Sequence, residues 1–180
     1  MKKSLGIALA GIGSALALLS LIGAAFLPTA NIAFWTFATL CVMIPAFIDA
    51  RSFIYSLLSF LVVSALALII TGNFLQILPF SLMFCPYAFA WFFFKNKKFS
   101  IVIKYLFEYI IFFILITCCY FFLKWLIAPQ MNEIDEFLLK WWWIIIIILF
   151  GFLPLYNFVL NQGKILIKNT FLKANIRKGG

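Results

Sequence analysis

A chain of 180 residues that is 67% hydrophobic and 11% charged, with a mean hydropathy of +1.17, has too few charges to clothe a soluble domain, and several of its apolar runs are long enough to cross a bilayer. Its 14 Lys and Arg, against 5 Asp and Glu, sit in short segments between those runs, where they report membrane orientation rather than nucleic-acid binding. There is no histidine, and the four cysteines (Cys41, Cys85, Cys118 and Cys119) lie inside apolar runs without CxxC spacing, so neither a metal site nor a thiol-exchange motif is expected and no cofactor is implied.

The first run, Ser4 to Leu27, carries Gly6, Ala10, Gly13, Ala17, Ser20 and Ala24 at alternating steps of four and three, a single narrow stripe on a helix. In lipid, close backbone approach at small side chains is a main way for one helix to bind another. The stripe therefore packs against another helix of this chain or receives a partner subunit. Lys2 and Lys3 before an apolar run resemble a secretory signal, with Gly23-Ala24-Ala25 as the cleavage site, but the run exceeds the about 7 to 15 apolar residues of a signal and reads as a mature helix.

After a turn at Pro28 comes a second run, 32–48, with Asn31 as a cap and Trp35 at an interfacial position; Asp49, Ala50 and Arg51 turn the chain, and Ser52 caps a third run, 53–70. The polar segment from Thr71 to Gln76 leads into a fourth run, 77–94, broken by Pro79 and Pro86. Pro86 withholds its amide hydrogen and should free the carbonyl of Leu82, which in a membrane demands protein neighbours or a water-lined cavity. Lys95-Asn96-Lys97-Lys98 is the strongest orientation signal. The fifth run, 99–127, opens with Lys104 and Glu108 one turn apart, a surface pair, a subunit contact or a buried coupling pair. An acidic loop, Glu133 to Glu136, precedes a sixth run, 137–161, that begins with Trp141, Trp142 and Trp143 and holds Pro154, Asn157 and Asn161; Pro154 should release the carbonyl of Phe150. A basic tail, 164–180, alternates apolar residues with Lys and Arg and reads as an amphipathic extension or a disordered end.

These runs predict a single all-α domain of six transmembrane helices. With both termini cytoplasmic, every basic cluster falls on the inner side. Near the outer face this topology gathers Asn31, Trp35, Asn73, Gln76, Tyr120, Trp141 and Trp142. Amides beside aromatic rings suit a small, flat, neutral ligand, although the same residues also make an interfacial belt. A missing histidine base and the absence of a Gly-rich phosphate loop argue against an enzyme.

The Lys-Lys start with its Ala- and Gly-rich first helix, Phe84-Cys85-Pro86-Tyr87 in the fourth run and Leu155-Tyr156-Asn157-Phe158 in the last give a six-helix chain that resembles the substrate-binding S components of energy-coupling factor (ECF) transporters, and more narrowly the small S-component-like membrane proteins of clostridia. The resemblance implies a micronutrient-binding subunit in a bacterial cytoplasmic membrane. It also implies that Gly6, Ala10, Gly13 and Ala17 dock on a transmembrane coupling subunit driven by two ATPases. Such proteins usually carry an Asp near position 157 and charges before the fourth helix, where this chain has Asn157, Asn73 and Gln76. The alternative is an accessory, assembly or immunity protein that binds a larger membrane complex through the first helix.

Overall fold

A computed structural model of the chain describes residues 3–95, 97, 99–126 and 132–176, with the backbone alone at 28, 132–146, 149 and 172–176. Those residues form α1 (Lys3–Phe26), α2 (Asn31–Val42), α3 (Ile44–Ile48), α4 (Phe53–Thr71), α5 (Phe74–Pro79), a π turn (Phe80–Phe84), α6 (Cys85–Lys95), α7 (Ile101–Leu126) and α8 (Asn132–Ile176), with 3₁₀ turns at Pro28–Ala30 and Ala50–Ser52. Among the described residues, four stretches are long and apolar enough to cross a membrane: Lys3–Phe26, Ala50–Thr71, Phe74–Lys95 and Ile101–Leu126. Their outward residues, such as Ile7, Ile12, Ile69, Val102 and Phe113, are large, apolar and exposed, a surface suited to lipid and costly in water.

The small-residue stripe is filled within the chain. Gly6, Gly13, Ala17, Ser20 and Ala24 are buried and Ala10 is half-buried, as α1 packs along α2 and α4. Pro45 has no amide hydrogen to give the Cys41 carbonyl, and Gly13 lies against that carbonyl so closely that a Cβ at residue 13 would collide with its oxygen. The Ser59 hydroxyl donates to the Ala10 carbonyl at 3.3 Å, and the Ser20 hydroxyl to that of Phe34 at 2.8 Å. Ser52 makes no side-chain cap for α4; Asp49 instead accepts the Arg51 N–H at 3.0 Å.

Three prolines inside helical segments find distinct solutions. At Pro45 the helix breaks between α2 and α3, and the orphan N–H of Ala46 is met from outside by the Ser56 hydroxyl at 3.1 Å. At Pro86 the preceding turn widens to a π turn, and the carbonyl that draws a side-chain donor is that of Phe84, which accepts the Tyr156 hydroxyl at 3.0 Å, rather than that of Leu82. At Pro154 α8 continues, and the expected carbonyl, Phe150, accepts from the Tyr109 hydroxyl at 3.3 Å.

The core falls into two apolar clusters. One joins α1, α2, α4 and α5 through Ala17, Leu21, Val42, Val63 and Ile77, with Phe80 of the π turn. The other joins α3, α6, α7 and α8 through Phe47, Tyr87, Trp91, Phe112, Leu153, Tyr156 and Leu160. The expected end of the last helix near residue 161 is corrected. α8 runs 45 residues to Ile176 because its later turns have something to pack on: Gly163 lies against Leu40, Lys164 over the Phe92 ring at 5.1 Å, and Leu166, Ile167 and Phe171 share an apolar groove with Leu9, Ile44 and Ile48.

Candidate functional site

The polar residues expected near the outer face are mostly occupied in holding the chain together. Trp35 donates its indole N–H to the Gln76 carbonyl at 2.9 Å, the Gln76 amide donates to the Ala24 carbonyl at 2.8 Å, and Asn73 caps α5 by accepting the Gln76 N–H at 3.3 Å. The two Gln76 bonds to other elements tie α5 to α2 and to the end of α1. Asn31 is the first residue of α2 rather than its cap, and its side-chain oxygen, like that of Gln76, is buried with no partner described. Tyr120 lies on α7 against Phe121, with the Lys124 ammonium 5.8 Å from its ring. The side chains of Trp141 and Trp142 lie outside the described residues, as do those of Glu133, Asp135 and Glu136, whose expected loop is instead the first turn of α8.

A cavity of about 490 Å³ opens at the other end of the bundle, among α6, α7 and α8. Trp91, Lys95, Lys104, Glu108, Asn157 and Asn161 supply its polar lining, and Ile101, Tyr105 and Phe158, all exposed, form its rim. The prolines and spacings of the sequence set this up. Asn157 and Asn161, four residues apart, share one wall, and Lys104 and Glu108, also four apart, share the facing one. Pro154 lines the cavity one turn above Asn157.

Glu108 is the one charged side chain that is buried among the described residues, at 7% exposed, two turns or about 10 Å into α7. Its carboxylate takes a hydrogen bond from the Asn157 amide at 2.8 Å, and the oxygen of that amide accepts the Tyr87 hydroxyl at 2.7 Å. The relay runs across three helices and fixes the orientation of the amide, since a hydroxyl donor and a carboxylate acceptor leave Asn157 one arrangement that satisfies both. Lys95 donates to the side-chain oxygen of Asn161 and lies 4.5 Å from the centre of the Trp91 ring, which holds its ammonium beside the cavity. Buried polar groups of this kind persist only when paired, and inside a membrane they face the bundle interior or a cavity.

Sequence spacing brought each helix's pair to light but could not join them, because the links are made between residues 49 to 70 positions apart. None of the cavity's lining residues was among the expected ligand contacts, and Tyr87, Trp91 and Lys95 were not expected at a site at all. Lys95 was read for its charge alone, and Tyr87 carried no signal beyond standing next to Pro86.

Fold and cavity together define an all-helical membrane protein with a polar cavity between three of its helices. Comparison with protein-family models, with curated proteins and with solved structures finds no match to this chain.

Proposed function

We propose that the chain is the substrate-binding membrane subunit of an uptake transporter of the ECF kind, and that it holds a small polar molecule in the cavity between α6, α7 and α8. The observation that carries this reading is the convergence of Glu108, Asn157, Lys95, Lys104 and Asn161 on one open cavity in an otherwise apolar bundle. Polar groups that converge on a concave, partly buried surface are where a solute can complete its hydrogen bonds while apolar walls exclude it from bulk water. In this reading α8 and the α2–α3 pair complete six spans, and the end bearing Arg51, Lys95 and Lys97 faces the cytoplasm of a bacterial cell. The cavity then belongs to the inner half of the bundle, in a conformation open toward the cytoplasmic side.

Energy comes from a coupling membrane subunit and two ATPases. Because the small-residue stripe is filled by α2 and α4, the coupling subunit meets α1 on its exposed flank, Ile7, Ile12 and Leu19. The test is native mass spectrometry of the tagged protein purified from its own host's membranes in mild detergent. A polar small-molecule adduct is expected on the native chain and not on Asn157→Leu, together with a coupling subunit and two ATPases. A chain that emerges alone, carrying only phospholipid, overturns the reading.

A further inference from the structure

We infer that the cavity's ligand is a zwitterion with an ammonium group and a phosphate monoester, the ammonium seated on Glu108 and the phosphate between Lys95 and Lys104. The inference rests on the binding role proposed above and names the class of ligand. Two lysines against one carboxylate leave the cavity one unit positive. A ligand of one charge sign cannot complement it: an anion leaves the buried Glu108 facing a like charge, and a cation leaves two ammonium groups uncompensated. A phosphate monoester, with nearly two negative charges, beside one ammonium balances all three groups.

The geometry sets the ligand's span. Lys104 and Glu108 are one turn apart on one face of α7, about 5 to 6 Å between Cβ atoms, so the two ligand charges are separated by only a few bonds. Asn157 occupies Oε2 of Glu108, which orients the carboxylate while its remaining acceptor capacity serves the ammonium. The Asn161 side chain and the Trp91 ring place the Lys95 ammonium, and lysine is suited to phosphate as a point charge. An aminophospholipid headgroup is a phosphodiester with a single negative charge and leaves one of the two lysines uncompensated, so the ligand is a free monoester that enters past the exposed rim residues Ile101 and Phe158.

The experiment follows the thermal midpoint of the purified chain in detergent, at fixed ionic strength, against O-phosphoethanolamine, ethanolamine and inorganic phosphate, since a ligand that binds the folded state raises the midpoint. O-phosphoethanolamine alone is expected to raise it strongly. Glu108→Gln should weaken that response about tenfold and leave any weak phosphate response unchanged, as expected for loss of one charge-assisted contact. Lys104→Gln, at a half-exposed position that tolerates substitution, should weaken both. In phosphatidylglycerol nanodiscs, added phosphatidylethanolamine is expected to leave the response to O-phosphoethanolamine intact; suppression by the lipid shows that a singly charged diester fits the cavity and overturns the monoester assignment. Inorganic phosphate matching the zwitterion, with Glu108→Gln without effect, overturns it. So does a flat response to all three probes. In both cases a small-molecule adduct still present by native mass spectrometry leaves the binding role standing, and its absence removes both.

Discussion

Gly13 and Gly163 both sit where a side chain would intrude, yet substitution should affect them differently. At Gly13 the obstacle is the Cys41 carbonyl, which is backbone and cannot move without shifting α2; at Gly163 it is the end of the Leu40 side chain, which can change rotamer. Gly13→Ala is therefore expected to cost about 1–3 kcal/mol, the range for overpacking a tight contact, and Gly163→Ala well under about 1 kcal/mol. Denaturation midpoints of the two variants in detergent check this, and equal losses would show that α1 and α2 are not held backbone to backbone. The stripe on α1 was legible from its spacing. Which surface fills it was not, because helical spacing places residues on a face and says nothing about the partner. The residues expected as ligand contacts show the same limit: the Trp35 indole bonds the Gln76 carbonyl, the Gln76 amide bonds the Ala24 carbonyl, and Asn73 caps the start of its own helix, α5, links that helical spacing does not reveal.

Among the elements, α8 departs furthest from the sequence reading. Alternating apolar and basic residues after Gly163 suggested a tail on the membrane surface or a disordered end, since the pattern alone does not reveal that α3 and the first turns of α1 offer an apolar groove at the right height. Ile167 packs against the cluster that also contains Phe47, Trp91 and Leu160, so its turn of helix belongs to the core. Ile167→Asp is expected to destabilise the bundle by about 2 kcal/mol or more, through lost burial and an unpaired carboxylate, whereas Lys168→Asp is expected to be near neutral. Protease resistance in detergent distinguishes them. A surface tail would make both changes harmless. Of the prolines, Pro154 was anticipated and Pro86 was not: a π turn forms before Pro86, and the carbonyl that draws a side-chain donor is that of Phe84 instead of Leu82. Pro154 released the carbonyl that its position demands, and the neighbouring helix supplied Tyr109 to meet it.

For the whole molecule, composition alone specified a helical membrane protein, and four described stretches have the length and apolarity for it. Orientation rests on the basic segments and has a direct test. Asn73→Cys should react with a membrane-impermeant maleimide on intact cells, and Lys97→Cys only after permeabilisation. The reverse pattern would place the cavity on the outer side. How the cavity and the α1 bundle coexist in one small molecule traces to the π turn at Phe80–Phe84. Residues before it, such as Ile77, serve the α1–α4 cluster; residues after it, such as Tyr87 and Trp91, serve α7 and α8. A residue in an α-helix turns the chain by about 100°, so the turn's widened register works as a swivel that points one continuous rod at two different neighbours. Removing a single residue between positions 80 and 84 would leave the rod helical and still apolar, yet rotate Tyr87 away from Asn157. This gene segment should therefore be intolerant of in-frame single-codon losses even where exchanges at its half-buried positions, Leu82 and Met83, are absorbed.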